Sequence, residues 1–261
     1  MSEHGMSEHG TAEHSTVVVS GAGTGIGRAV AGRLAAAGCH VTAVGRRPEP
    51  LNRLAGELGP QVDPVAADVA TEAGAGAVAA RVAAAGRGCA GVVAAAGGIP
   101  GGRTAGGLAG IRQDWQALFE SNVLSAVLLV EALREALREA IGKASGRVVL
   151  VSSVAALRGS GGGGYGAMKA ALHAWAYDLA RELGPQGGTA NVVAPGFVPD
   201  TGFWSGRLSA ESRQERAAQT LVGREGTPGE VAALIGWLLG PEAGWMTGQV
   251  LSPNGGVVLG R

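Results

Sequence analysis

A chain of 261 residues, 46% hydrophobic and 16% charged, holds enough apolar material for a large core and too little charge for a disordered polypeptide. Lysine plus arginine and aspartate plus glutamate number 21 each. The net charge is therefore zero, and neither nucleic acid nor an anionic membrane is expected as a partner.

Met1 to Ser15 is polar and acidic and lacks the apolar core of a secretory signal. Met-Ser-Glu-His-Gly occurs twice in succession and, with Ala12-Glu13-His14, places His4, His9 and His14 at equal intervals. This reads as a disordered tail rather than a metal site, and no metal is expected. The folded domain is expected over residues 16–261. No stretch approaches the ~18 apolar residues of a spanning helix, so a cytoplasmic protein is expected.

From Thr16 onward, short β-branched runs alternate with helical stretches. Strands are predicted at Thr16–Ser20, Cys39–Val44, Val62–Ala66, Gly91–Ala95, Arg147–Val151, Thr189–Val193 and Gln249–Leu251. Helices are predicted at Arg28–Ala37, Pro50–Leu58, Ala73–Ala85, Asp114–Ile141 and Gly166–Leu183. In the longest of these, Val123, Val127, Val130, Leu133, Leu137 and Ile141 form an apolar stripe. Glu–Arg pairs three residues apart mark the solvent side of its end. Alternating strands and helices predict an α/β fold, a doubly wound seven-stranded parallel sheet with helices on both faces in a single domain. Double coverage explains strands that are apolar throughout, such as Val17-Val18-Val19. Cys39 and Cys89 stand beside strands and read as buried free thiols.

The first strand runs into Gly21-Ala-Gly23-Thr24-Gly25-Ile26-Gly27, directly ahead of a helix. Glycines there let backbone approach a ligand, and the helix N-terminus suits a pyrophosphate. The spacing, Gly-x-x-x-Gly-x-Gly, differs from the general dinucleotide fingerprint. Many dinucleotide folds carry an acid at the end of the second strand to hold ribose hydroxyls. Here the residues are Gly45-Arg46-Arg47. An arginine pair donates to a 2′-phosphate, so NADP(H) is favoured over NAD(H).

Tyr165 and Lys169 stand four residues apart at a helix start, on one helical face. An ammonium beside a phenol favours the phenolate, and so makes a better acid–base group near neutrality. Ser152-Ser153 ends the fifth strand, where a hydroxyl can bind a carbonyl oxygen.

These pieces, in this order, resemble the short-chain dehydrogenase/reductase family over nearly all of Thr16 to Leu259. The resemblance rests on Gly21-x-x-x-Gly25-x-Gly27, Asp68, Asn122, Ser153, Tyr165-x-x-x-Lys169, Pro195-Gly196, Thr247-Gly248-Gln249 and Asn254-Gly255-Gly256. Asn191 to Phe197 is similar to the 3-oxoacyl-(acyl-carrier-protein) reductase branch. The resemblance implies catalytic roles for Ser153, Tyr165, Lys169 and Asn122. Tyr165 would donate a proton to a carbonyl oxygen, Lys169 would hold the nicotinamide ribose, Ser153 would orient the oxygen, and Asn122 would hold a relay water. It also implies cofactor contacts from Gly21, Gly23, Thr24, Gly25, Ile26 and Gly27, and from Arg46, Arg47, Asp68 and Val69. Ala95, Gly97, Pro195, Gly196, Val198 and Thr201 complete that set, together with Tyr165 and Lys169. Family members usually assemble as tetramers through their long helices, so a homotetramer or homodimer is implied.

The sequence departs from the family pattern in three places. Ala94-Ala95-Ala96-Gly97 lacks two amide side chains that would tie neighbouring backbone. The loop from Ser153 to Tyr165 is one residue short, so the usual offset selects Ser152 while the local pattern selects Ser153. Thr201 falls one position late. Beyond the motifs, His173 reads as a packing or interface residue, and Phe203 and Trp204 as either pocket lining or buried under a helix near Ser209–Leu221. Trp237 and Trp245 read as core or subunit contacts. The reading that follows is an NADPH-dependent reductase of a 3-oxoacyl or similar ketone. An alcohol, sugar or secondary-metabolite dehydrogenase and a non-catalytic NADP-binding sensor remain as alternatives.

Overall fold

The computed structural model describes residues 16–100, 106–141, 146–160, 163–199, 201–204 and 208–260. The histidine-bearing repeat lies outside them. Strands β1 (Thr16–Ser20), β2 (His40–Gly45), β3 (Val62–Ala66), β4 (Cys89–Ala94), β5 (Arg147–Val151), β6 (Thr189–Val193) and β7 (Val250–Leu251) form one parallel sheet in the order β3-β2-β1-β4-β5-β6-β7. The order reverses between β1 and β4, and in such sheets a crevice opens there, beyond the strand C-termini.

Each strand feeds both faces. Val17 and Val19 enter one core with α1 (Gly25–Ala36), α2 (Pro48–Leu58) and α10 (Pro228–Leu239), while Val18 enters the other. That second core is filled by α3 (Glu72–Ala85), α5 (Ser125–Ala132), α6 (Arg134–Ile141) and α8 (Tyr165–Leu183). Cys39 and Cys89 are buried and free, as the sequence implies.

The helix predicted over Asp114–Ile141 is not continuous. It comprises α4 (Gly107–Phe119), a π-helical turn at Glu120–Leu124, then α5 and α6, with a bend of 53° after Ala132. At the bend Leu133 leaves helical geometry (φ −100°, ψ 1°) yet stays buried. Arg134 and Arg138 beyond it both pair with Glu182 of α8. The predicted stripe shifts accordingly. Ala126, Leu129, Val130, Leu133 and Leu137 fill the core, whereas Val123 and Val127 are half-buried. The side chain of Ile141 lies outside the described set. No single described helix is long and apolar enough to cross a membrane. Trp245 is fully exposed, which removes the core reading for it.

Candidate active site

The crevice at the β1/β4 switch holds a cavity of about 620 Å³. One wall is the turn after β1, where Gly21 (φ +68°) and Gly25 (φ +54°) take left-handed backbone. A Cβ at Gly21 would sit 2.8 Å from the Ala95 carbonyl oxygen, and one at Gly27 would overlap the Gly21 carbonyl. The turn therefore needs glycine for closure as well as for ligand approach. Thr24 is the N-cap of α1 but its side chain caps nothing, so the first-turn amides have no side-chain partner. A helix N-terminus without a side-chain cap, beside this glycine cradle, fits an anionic pyrophosphate.

The cavity runs from Gly21, Gly23 and Thr24 past Arg46, Arg47, Asp68 and Val69 to Gly97. Arg46 and Arg47 are exposed, and among the described residues no carboxylate pairs with either. Gly45 supplies no acceptor between them and the cavity floor. Asp68 is held in a turn: its Oδ1 accepts from the Ala70 amide at 3.1 Å, and its carbonyl accepts from Thr71 Oγ1 at 2.8 Å. Thr71 in turn caps α3. Val69 is buried.

The turn after β4 is tied down without the two missing amide side chains. Ala96 N donates to Ser20 Oγ at 3.1 Å. Asn122, fully buried in the π-helical turn, accepts from Gly98 N at 2.9 Å and donates to Gly98 O at 2.7 Å. Its amide also reaches Leu118 O and Ser121 Oγ. A Cβ at Gly97 would lie 2.8 Å from Asn122 Oδ1 and 2.9 Å from Lys169 Nζ, so glycine alone lets the chain pass between them.

A second cavity, of about 190 Å³, adjoins the first through Gly21, Thr24, Ala96 and Gly97. It gathers Gly25, Ile26, Gly27, Ala95, Ser153, Tyr165, Lys169, Pro195, Gly196, Val198 and Thr201. Every proposed site residue except Asn122 thus lines one cavity or the other, and Asn122 sits behind Gly97. Gly196 packs against Asn254, where a Cβ would come within 2.6 Å of the Asn254 Cα. Thr247 and Gln249 serve the sheet edge: Ala190 N donates to Thr247 Oγ1, and Gln249 N donates to Asn191 Oδ1.

The structure separates the two serines. Ser152 is buried beneath α8, where its hydroxyl donates to the Lys169 carbonyl at 2.9 Å and meets His173 Nε2 at 2.8 Å. A carbonyl can only accept, so the hydroxyl proton goes there and His173 is the donor to Ser152. Ser153 is half-buried, accepts from Ala155 N at 3.1 Å, and shares the lining of the smaller cavity with the Tyr165 phenol, whose ionised form it favours. His173 is thus a packing residue with a specific task, and burial lowers its pKa.

The expected effect of Lys169 on Tyr165 is not what the structure gives. Burial pushes the Tyr165 phenol up to about 12, and Ser153 offsets this only in part. Lys169 is itself buried and brought down to about 8, and its ammonium donates to the Val151 carbonyl at 2.9 Å. Desolvation outweighs the pair attraction that spacing alone suggests.

Phe203 and Trp204 line the smaller cavity rather than lying buried beneath α9 (Ala210–Ala218). Sequence reasoning missed Phe197 and Arg216, which pack against Trp204. It also missed Trp115, whose ring stands 3.0 Å from where a Cβ on Gly164 would be. No local pattern announces these contacts, because their partners are distant in sequence.

Comparison with known proteins agrees with this geometry. A family model described as enoyl-(acyl carrier protein) reductase matches residues 21–258. The short-chain reductase protein NovJ of Streptomyces niveus is 33% identical over 248 residues, 92% of each chain. The 3-oxoacyl-[acyl-carrier-protein] reductase FabG of Escherichia coli strain K12 is 38% identical over 115 residues, covering 44% of this chain and 46% of its own. A crystal structure of a short-chain dehydrogenase/reductase from Brucella melitensis, a glucose/ribitol dehydrogenase, superposes with TM-score 0.84 at 30% identity over 95% of this chain and 98% of that one. With a dinucleotide-shaped cavity at the switch point and a Ser–Tyr–Lys cluster beside it, the chain belongs to the short-chain dehydrogenase/reductase family of NAD(P)-dependent oxidoreductases.

Proposed function

We propose that this protein reduces a ketone to a secondary alcohol with NADPH. The observation that carries this is the Ser153–Tyr165 hydroxyl pair, which lines a small cavity that opens onto the larger one. Bound NADPH supplies the hydride to the carbonyl carbon. Ser153 Oγ and Tyr165 Oη meet the carbonyl oxygen, which suits a C=O bond better than an alkene. A phenol held up near 12 is fully protonated at neutral pH and ready to donate as the oxygen gains charge. Lys169 Nζ, beside Gly97 where the two cavities meet, would hold the nicotinamide ribose. Asn122 Oδ1 accepts one bond from Gly98 and keeps a lone pair for a water that returns a proton towards Tyr165.

Arg46 and Arg47 support the choice of NADPH over NADH, since they are unpaired donors where a 2′-phosphate would sit. Hydrogen bonds between charged partners contribute ~1.5–3 kcal/mol each, so even one gives about tenfold or more. Exposure means that salt should weaken the preference. The protein is expected to act in the cytoplasm on a small molecule, as a tetramer or dimer.

Two measurements test this. Tyr165→Phe should abolish ketone reduction while NADPH binding, followed by fluorescence, stays within a few-fold. Retention of a tenth of wild-type kcat would remove Tyr165 from proton transfer. Wild-type kcat/KM should favour NADPH, and Gly45→Asp with Arg46→Ala should reverse that. Equal values for the two cofactors in the wild type would overturn the assignment.

A further inference from the structure

The chain has only 2 tyrosines, 3 phenylalanines and 5 tryptophans. Four of these rings touch in series at the candidate site. Tyr165 faces Phe203 with centroids 5.4 Å apart and planes inclined at 44°. Phe203 meets Trp204 edge to face at 4.9 Å and 78°. Trp204 meets Phe197 in the same manner at 5.4 Å and 80°. The Arg216 guanidinium lies 4.9 Å above the Trp204 ring and 5.9 Å from that of Phe197. Trp204 is therefore clamped by two rings and a cation, and behaves as a fixed wall.

Phe203 is the exception within this series. It lies between the fixed Trp204 and the phenol of Tyr165, and lines the cavity into which a substrate carbonyl would reach. Among the described residues, the one ionisable side chain lining that cavity apart from Tyr165 is Lys169, whose ammonium is engaged by the Val151 carbonyl. Among the described residues no carboxylate or guanidinium lines it, and the Arg216 guanidinium is engaged by the Trp204 and Phe197 rings. Ile26, Pro195, Gly196 and Thr201 in its lining are assigned to the cofactor, so the substrate is left the end walled by Phe203 and Trp204. A long alkyl chain entering it would have to freeze several rotors against a wall that does not yield. A flat ring conjugated to the carbonyl freezes almost none and presents its faces and edges to Phe203 and Trp204.

We propose that the substrate is an aryl ketone, its ring seated against Phe203 and Trp204 and its carbonyl oxygen at Ser153 and Tyr165. This rests on the ketone-reductase reading above and deepens it. Bound NADPH would supply hydride to the carbonyl carbon while Tyr165 gives its proton to the oxygen, and the product would be a benzylic secondary alcohol.

The test compares two 3-oxo esters of equal carbon number, ethyl 3-oxo-3-phenylpropanoate and ethyl 3-oxononanoate, with NADPH and the full-length protein. Wild-type kcat/KM should favour the phenyl ester by roughly tenfold, the scale of one good aromatic contact. Phe203→Leu keeps an apolar side chain but removes the ring, and should bring the ratio close to parity. The wild-type ratio is informative even if that variant fails to fold. Equal rates for the two esters in the wild type, a preference for the alkyl ester, or a Phe203→Leu variant that keeps the full ratio would each overturn the aryl assignment while leaving ketone reduction standing. Absence of turnover with both esters, and with a wider ketone panel, would overturn the ketone-reductase reading itself.

Discussion

Lys169 and the two serines before it show how much a buried polar side chain can decide. The Lys169 ammonium is buried against a neutral acceptor, the Val151 carbonyl, and its pKa falls from 10.5 to about 8. Between those values the unfolded chain holds a proton that the folded chain has released. Stability should therefore rise with pH across that window, by about 3 kcal/mol in all. Tyr165, raised from 10 to about 12, acts in the opposite sense above pH 10, and Cys89, raised from 9 to about 12, does so above pH 9. The contribution of Lys169 is isolated by subtracting Lys169→Met. Urea unfolding at pH 7.5 and pH 10.5 should show the wild type gaining on the variant, and a difference that stays flat would mean that Lys169 is neutral or paired. The serines divide in the same way. Ser153→Ala removes the hydroxyl that shares the cavity with Tyr165 and should reduce kcat by a hundredfold or so, the scale of one lost transition-state donor. Ser152→Ala leaves that hydroxyl intact but deprives the His173 donor and the Lys169 carbonyl of their partner. It should cost ~1–3 kcal/mol of stability and much less activity. The reverse ranking in kcat would place the short loop in the other register.

The break between α4 and α5 is the element on which the site turns. Its π-helical turn swings Asn122 inward, where one amide side chain satisfies both the N–H and the C=O of Gly98. Asn122→Leu, branched at the same carbon but unable to hydrogen-bond, should destabilise the fold by about 2 kcal/mol or more, because two backbone groups lose their partner. A urea midpoint unchanged from wild type would show that water takes over the role. This break also marks where sequence reasoning stops. The glycine turn, the Tyr165–Lys169 face and the seven strands were legible because each is a local constraint, written in spacing of one, two or four residues. The stripe from Val123 to Ile141 carried the same helical period through the π turn and the bend, with no proline or glycine to mark either. Their cause is tertiary: Asn122 is drawn to Gly98, and Arg134 and Arg138 to Glu182. The aromatic wall was half legible for a related reason. Phe203 and Trp204 are neighbours in sequence, but Phe197 and Arg216 join them only through folding. The sense of the Tyr165 pKa shift was not legible, since spacing reveals a nearby ammonium but not how dry the pair becomes.

At the scale of the whole molecule, four of the large apolar side chains left in water fall on a single helix. Leu108 is 85% exposed, and Ile111, Trp115 and Phe119 are exposed at intervals of three or four residues along α4. They form one outward stripe, and α8, which packs beside α4, adds the exposed Tyr177. A monomer rarely leaves a continuous apolar face of this kind uncovered. A second copy related by a two-fold axis would cover it with itself, since a self-complementary patch needs no other partner. Such assembly would also reach the site. Trp115 stands against Gly164, one residue before Tyr165, so a partner pressed onto α4 would help to fix the start of α8. Light scattering at micromolar concentration should therefore give a mass that is a multiple of 25.8 kDa. Ile111→Glu combined with Phe119→Glu should shift the protein to monomer and lower kcat, while circular dichroism retains the helical signal. A monomeric wild type would refute the assembly, and a monomeric variant with full activity would show that α8 keeps its place without a partner.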